Sequence, residues 1–370
     1  MSGTSLFDPR DFAIAPGITH VCAGGETANL RRHDAALSRY LHDKSSGMAG
    51  RVAQEAEITR ARAGIAHYWG VDVGSIGFVS NVAEGVSIVA ESLEWRDGDN
   101  IVIDANEYPS VVGPFLTHRH PVVTLRQARG TEPDRFAPHV NDRTRVIGVS
   151  YVSYLTGERH DLHALRTLAD TVGALLVVDF TQAAGYLPID ATVADFAFSA
   201  CYKWLLGITG VAIAYWNRTR QPSWSPASAG WHSFAPGHRG YDTPPPLRAD
   251  ALRFTRGNPA HAPVYVLAEA LDFLAGYDMR AVQAHVQALT AAMLRRLHAL
   301  QLPTLTPADP GRHGASVCVP SSNAQAIVDG MAQNGVLAWN GQGRVRFSFH
   351  GYNSAADVER AVDALRVEWT

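Results

Sequence analysis

ALLVVDFTQAAGYLPIDATVADFAFSACYKWLLGITGVAIAYW, the stretch from Ala174 to Trp216, decides how this chain folds. Leu175, Leu176, Val177 and Val178 run without a polar break into Asp179, a pattern too continuously apolar for a strand with one wet face. Such a strand belongs in a sheet covered on both sides, and ligands of those sheets sit beyond the carboxyl ends of the strands, where Asp179 stands. Residues 196–199 read as the next strand, and Lys203 follows after a turn, so carboxylate and amine are expected to reach one crevice. Of 32 basic residues only Lys44 and Lys203 are lysines. Where arginine supplies nearly all positive charge, a retained lysine points to a need for a primary amine, because a guanidinium forms no imine.

The same grammar extends on both sides. Residues 76–79, 100–103, 122–125 and 146–152 are predicted strands, and 211–215 completes a mostly parallel seven-stranded sheet with 174–178 and 196–199. Leu162, Leu165, Leu168, Ala169 and Val172 share one face of a helix that crosses from Val152 back to Ala174, as parallel neighbours require. This is α/β patterning. Residues 222–246, with Pro244, Pro245 and Pro246 in a row, read as a long irregular loop. Beyond it, a helical stretch over 263–300, apolar runs at 315–319, 335–339 and 344–349, a helix over 324–333 and a last one from Ser354 describe a small α+β domain. The expected organisation is an N-terminal segment, 1–30, that contributes to the active site, a large domain, 31–260, and a small C-terminal domain, 261–370.

With 370 residues, 46% hydrophobic and 18% charged, the chain has the balance of a folded globular protein. Its net charge of −3 offers no basic field for counterion release, which excludes nucleic acid as an expected partner. No run approaches the roughly 20 apolar residues of a membrane span. Residues 1–17 carry Asp8, Arg10 and Asp11 and lack the apolar centre of a secretory signal. Cys22, Cys201 and Cys318 form no CxxC pair and read as free thiols in a reducing, cytoplasmic setting. His118, His120, His160 and His163 lack Cys or carboxylate partners at zinc spacing, so no metal is expected. Asn81-Val82-Ala83-Glu84-Gly85 carries neither a dinucleotide fingerprint nor a P-loop.

A Schiff-base amine and a carboxylate for a protonated pyridine nitrogen are what pyridoxal 5′-phosphate (PLP) needs most from a protein. Over most of its length the sequence resembles the class V aminotransferase family of fold type I PLP-dependent enzymes, which includes kynureninases, isopenicillin N epimerases and cysteine desulfurases. The resemblance implies that Lys203 carries PLP, that Asp179 pairs with the pyridinium and that Gln182 faces the ring 3′ oxygen. YVSYLTGERHDL, from Tyr151, is similar to the kynureninase form of the preceding strand and turn. GFVSNVAEGVSIV, from Gly77, resembles the phosphate turn, with amides near Asn81, Val82 and Ala83 opening a helix toward the anion; many relatives have Thr where Ala83 stands. Glu107-Tyr108-Pro109-Ser110 matches the segment whose aromatic stacks on the ring, making Tyr108 the stacking candidate. Tyr202 and Trp231 resemble kynureninase phosphate contacts. Asn258 stands where relatives reach the phosphate of the neighbouring subunit. VRFSFHGYNSAADVERAVDAL resembles the C-terminal signature, in which Arg346 matches the substrate-carboxylate clamp, a task that suits a guanidinium fork.

What the resemblance implies is a homodimer with shared active sites, acting on an amino acid through an external aldimine and a Cα carbanion, with the freed Lys203 amine moving the α-proton. Lyase, epimerase (isomerase) and transaminase (transferase) outcomes stay open, the first two slightly favoured. Desulfurases need a nucleophilic cysteine before the arginine strand, and 337–343 contains none; Cys318, in Ser316-Val317-Cys318-Val319, reads as a packed strand residue. The rival of another class is a non-catalytic PLP-binding protein, against which intact Lys203, Asp179 and Arg346 count.

Overall fold

The computed structural model describes residues 4–116, 124–237 and 242–369. The N-terminal part contributes β1 (Thr19–His20), α1 (His33–Lys44) and α2 (Gly47–Trp69). Then come β2 (Ile76–Val79), α3 (Val82–Glu91), β3 (Asn100–Asp104), α4 (Pro109–Leu116), β4 (Thr124–Ala128), α5 (Pro133–Phe136), β5 (Thr144–Ser150), α6 (Leu162–Asp170), β6 (Leu175–Asp179), β7 (Phe196–Ala200) and β8 (Ala212–Trp216). The remainder supplies α7 (His261–Leu274), α8 (Met279–Ala299), β9 (Ser316–Pro320), α9 (Ala324–Gln333), β10 (Val336–Leu337), β11 (Trp339–Gly341), β12 (Arg344–Ser348) and α10 (Ala355–Glu368).

The large sheet has seven strands in the order β2-β8-β7-β6-β5-β3-β4. β4, β3, β5, β6 and β7 pair in parallel, and β8 runs antiparallel to both its neighbours. Every residue of β2, β3 and β8 is buried, which is why these segments read as apolar runs without alternation. The β5–β6 register sets Ser150 opposite Asp179, so both strands end at one crevice. A second sheet, β11-β12-β9, is antiparallel. The N-terminal segment joins that layer: β1 pairs in parallel with β10, and Ser348 N–H donates to Val21 O at 2.8 Å.

Two helices at the start of the chain have no counterpart in the strand-and-helix pattern anticipated above. The buried positions of α2 mix Ile58, Ala61, Ile65 and Trp69 with Gln54 and Arg62, so no clean apolar stripe marks it. The helical stretch expected over 263–300 is two helices, broken at Gly276 and restarted by Asp278, whose side chain accepts from Arg280 N–H at 3.1 Å. Val122 and Val123 of the expected third strand lie outside the described residues, and β4 begins at Thr124. Among the described residues no helix is long and apolar enough to cross a membrane.

Helix α3 lies directly on β7. A Cβ at Gly85 would stand 2.3 Å from Cε1 of Phe198, so only glycine lets the helix settle at this distance. Gly85→Ala is expected to lift α3 off the sheet and cost about 1–3 kcal/mol, read as a lower urea midpoint at unchanged m-value.

Candidate active site

At the carboxyl ends of β5 and β6, beside the first turn of α3, one pocket is lined by Asn81, Val82, Tyr108, Asp179, Gln182, Tyr202 and Lys203. Ser110, Ser150, Tyr154, Thr181 and Ala200 complete its wall. Asp179 is buried, and Oδ1 accepts from Thr181 N–H at 2.8 Å. Burial pushes its carboxyl up, while the Thr181 hydrogen bonds and the Lys203 charge pull it back. Thr181 Oγ1 in turn accepts from Ala200 N–H at 2.8 Å, stapling the turn after β6 to the end of β7.

Lys203 enters from a tight turn after β7. Leu206 N–H donates to Lys203 O at 2.9 Å and Gly207 N–H to Cys201 O at 2.8 Å, which forces Leu206 to φ 59°. A left-handed leucine costs about 1–2 kcal/mol. The Leu206 side chain is fully buried, and its packing offsets that strain. The turn delivers Lys203, itself 6% exposed, into the pocket. Its Nζ lies 5.7 Å from the centroid of the Tyr108 ring and 5.4 Å from that of Tyr202. Burial, and next the Arg346 charge, bring the amine down to about 8 against the opposing pull of Asp179 and Glu26. A substantial neutral fraction therefore exists near neutral pH, which is what nucleophilic attack on a carbonyl requires.

The roof comes from both ends of the chain. Gln182 Nε2 donates to Gly24 O at 3.0 Å, and a Cβ on Gly24 would stand 2.6 Å from Ser348 Oγ and 2.8 Å from the Trp204 ring. Arg346, on β12, is buried, donates from Nη1 to Tyr154 O at 3.2 Å and leaves Nε without a partner. Among the described residues no carboxylate pairs with it. A buried guanidinium lacking a counter-ion is an anion site by construction.

The family profile of Aminotransferase class-V matches residues 30–361. The chain belongs to that family. It is therefore a PLP-dependent enzyme of fold type I. An uncharacterized aminotransferase of Bacillus subtilis is 26% identical over 309 residues, covering 82% of each chain. A probable cysteine desulfurase of Methanothermobacter thermautotrophicus is 25% identical over 338 residues, covering 84% of this chain and 83% of its own. A solved structure, the C-DES mutant with glycine covalently linked to its PLP cofactor, matches with a TM-score of 0.88 at 20% identity, over 97% of this chain and 99% of that one.

The residues present fit the cofactor of this family. A partly neutral amine, a buried carboxylate and the N-terminus of an amphipathic helix meet at one cavity. Asn81 caps that helix, accepting from Glu84 N–H at 2.9 Å. Ala83 sits in the first turn of α3 without lining the pocket. Trp231 and Asn258 lie outside it as well. The Trp231 ring is 59% exposed with the Arg51 guanidinium 5.8 Å from its centroid, and Asn258 Oδ1 accepts from Arg51 Nη1 at 2.8 Å. Sequence reasoning missed Ser150, Thr181 and Tyr154 as lining groups; the one available signal was that Ser150 and Thr181 flank the strand ends already marked by Asp179. Among the described residues no group of three or more His, Cys, Asp or Glu could hold a metal; His118 and His120 lie outside those residues.

With two lysines in the chain, reductive 13C-methylation of the cofactor-free protein gives a spectrum simple enough to follow Lys203. Its resonance is expected to titrate with a midpoint at about 8. Arg346→Leu moves that midpoint up by removing a like charge, and Asp179→Asn moves it down by removing an opposite one.

Proposed function

We propose that this chain is a homodimeric lyase or epimerase acting at the α-carbon of an amino acid. The observation that carries the reading is one pocket lined by a depressed Lys203 amine and a buried Asp179, with the buried Arg346 guanidinium outside that lining but near enough for its charge to act on Lys203. When bound, PLP supplies an electron-accepting ring that weakens the bonds at the α-carbon of an attached amino acid. Lys203 would hold the cofactor, and its Nζ amine would move the α-proton. With the cofactor bound, Asp179 would keep a proton on the ring nitrogen, Tyr108 would stack on the ring and Gln182 would face the 3′ oxygen. The amides of Asn81, Val82 and Ala83, with Tyr202, take the phosphate. Arg346 receives the substrate α-carboxylate.

Assembly in pairs accounts for the residues outside the pocket. Leu41, Met48 and Val52 are 62%, 79% and 68% exposed on α1 and α2, an apolar surface continuous in sequence with Arg51 and close to Trp231 and Asn258. Covering that surface with a second copy would let Asn258 act at the phosphate of the partner site. The three cysteines are free and buried, which supports a reducing, cytoplasmic setting. Their burial also argues against persulfide chemistry despite the likeness to desulfurases, since a nucleophilic thiolate needs access. β11 and β12 are joined by Gln342 and Gly343 alone, both at positive φ, a tight turn with no room for a cysteine-bearing loop. A transaminase remains the second reading, favoured by the similarity to the Bacillus subtilis aminotransferase.

Borohydride reduction of the protein loaded with PLP is expected to leave a pyridoxyl adduct on the peptide holding Lys203; an unlabelled peptide overturns the assignment. Asp179→Asn is expected to abolish turnover over an amino-acid panel with the circular dichroism spectrum unchanged, whereas near-normal turnover removes Asp179 from the mechanism. Product analysis in deuterated water separates the outcomes: α-deuteration with the amine retained marks epimerisation, loss of a β or γ group marks a lyase, and a keto acid with amine transfer marks a transaminase. PLP binding without any of these marks a non-catalytic binding protein.

A further inference from the structure

Glu107 lies between β3 and α4, outside the pocket wall, and its carboxyl group points toward the end of β5. It accepts Ser150 N–H at 2.7 Å and Tyr108 N–H at 2.7 Å, and the Ser150 hydroxyl donates to it as well. Both partners line the pocket. Tyr108 is the aromatic assigned above to the ring face, and Ser150 is the register neighbour of Asp179. One carboxyl group thus ties together a stacking residue and the hydroxyl nearest in the sheet to the ring-nitrogen partner.

We propose that Glu107 is a positioning residue whose protonation state sets, through Ser150, the direction of the hydrogen bond presented to the cofactor pocket. The inference rests on the reading that this pocket takes PLP. An ionised carboxylate only accepts, so the Ser150 hydroxyl must donate to it and turns lone pairs toward the pocket. When Glu107 takes one proton from solvent, its own O–H donates to Ser150 Oγ, and the serine hydrogen is free to swing into the pocket as a donor. The Glu107 charge is neutralised and one hydrogen bond reverses direction, at the register neighbour of Asp179.

The surroundings put this exchange in the working range. Burial pushes the Glu107 carboxyl up to about 7, against the pull of the Ser150 bonds and of His160. His160 Nδ1 lies 2.8 Å from Ser150 O, and Nε2 stands 3.6 Å from Asp104 Oδ2. Tyr154 and Tyr108 are the other titratable neighbours; the Glu107 charge helps to hold the Tyr154 hydroxyl up. Arg344 and Arg346 both donate to the backbone carbonyl of Tyr154. The sign follows: the donor form of Ser150 exists below about 7 and gives way to the acceptor form as pH rises through it.

Two measurements test this. Infrared difference spectra of the cofactor-free protein, taken on either side of about 7, are expected to show a buried carboxylic C=O band that Glu107→Gln abolishes and Ser150→Ala retains. With PLP loaded, the absorbance of the cofactor on Lys203 is expected to shift through a transition near the same pH. Glu107→Gln should hold the low-pH spectrum throughout, because its amide donates to Ser150 as the protonated acid does, and Ser150→Ala should lose the transition. A purely structural role for Glu107 would lower the melting temperature of Glu107→Gln and leave the transition in place, which overturns the proposal, as does an unchanged transition in Ser150→Ala. A protein that shows the carboxylic band yet takes up no PLP overturns the proposed function, and with it the role of Ser150, independently of the Glu107 titration.

Discussion

The rest of this structure is arranged around a carboxylate buried at the end of a parallel strand within electrostatic reach of a buried amine. Asp179 terminates β6 where the sheet has no water on either face, and Lys203 is brought toward it by a turn that strains Leu206. Neither charge is comfortable alone. Burial raises the acid and lowers the amine, each in the direction of neutrality, and each charge partly restores the other. Removing Lys203 leaves Asp179 with the Thr181 hydrogen bonds alone, so the pair is held by the fold rather than holding it together.

The balance of charge around the pocket explains why it suits an anionic guest. Lys203 and Arg346 are both buried, and Arg344 lies beside them with its Nη atoms on the carbonyls of Gly341 and Tyr154. Among the described residues, neither arginine has a carboxylate partner. Two groups there favour anions: the N-terminus of α3, whose Asn81 and Val82 line the pocket, and the buried Arg346 guanidinium on β12, outside the lining.

Much of this was legible in the sequence, for stateable reasons. Apart from β4, the strands of the large sheet are short, largely buried and mostly apolar, so β2, β3, β5, β6, β7 and β8 announce themselves, and Asp179 and Lys203 stand out by position and by rarity. Helices α1 and α2 did not, because α2 buries Gln54 and Arg62 among its apolar residues and exposes Met48 and Val52. Ser150 and Thr181 stayed hidden because serine and threonine at strand ends are ordinary turn residues, and only the three-dimensional register shows which of them face the cavity. Glu107 was quoted as part of the motif around Tyr108 without a role of its own, since its value lies in a contact with a residue 43 positions away.

The way the two ends of the chain close over the pocket has a bearing on how the molecule is made. Gly24, which receives Gln182, is seated against Ser348, and β1 pairs with β10, more than three hundred residues later on the ribosome. The large sheet can assemble as its strands emerge, but residues 19–25 must wait, unpaired, until β10 and β12 have been synthesised. A nascent chain can thus own every residue that grips the coenzyme and still present an open cleft, so that vitamin loading belongs to the finished polypeptide and a prematurely terminated one is left exposed to proteolysis.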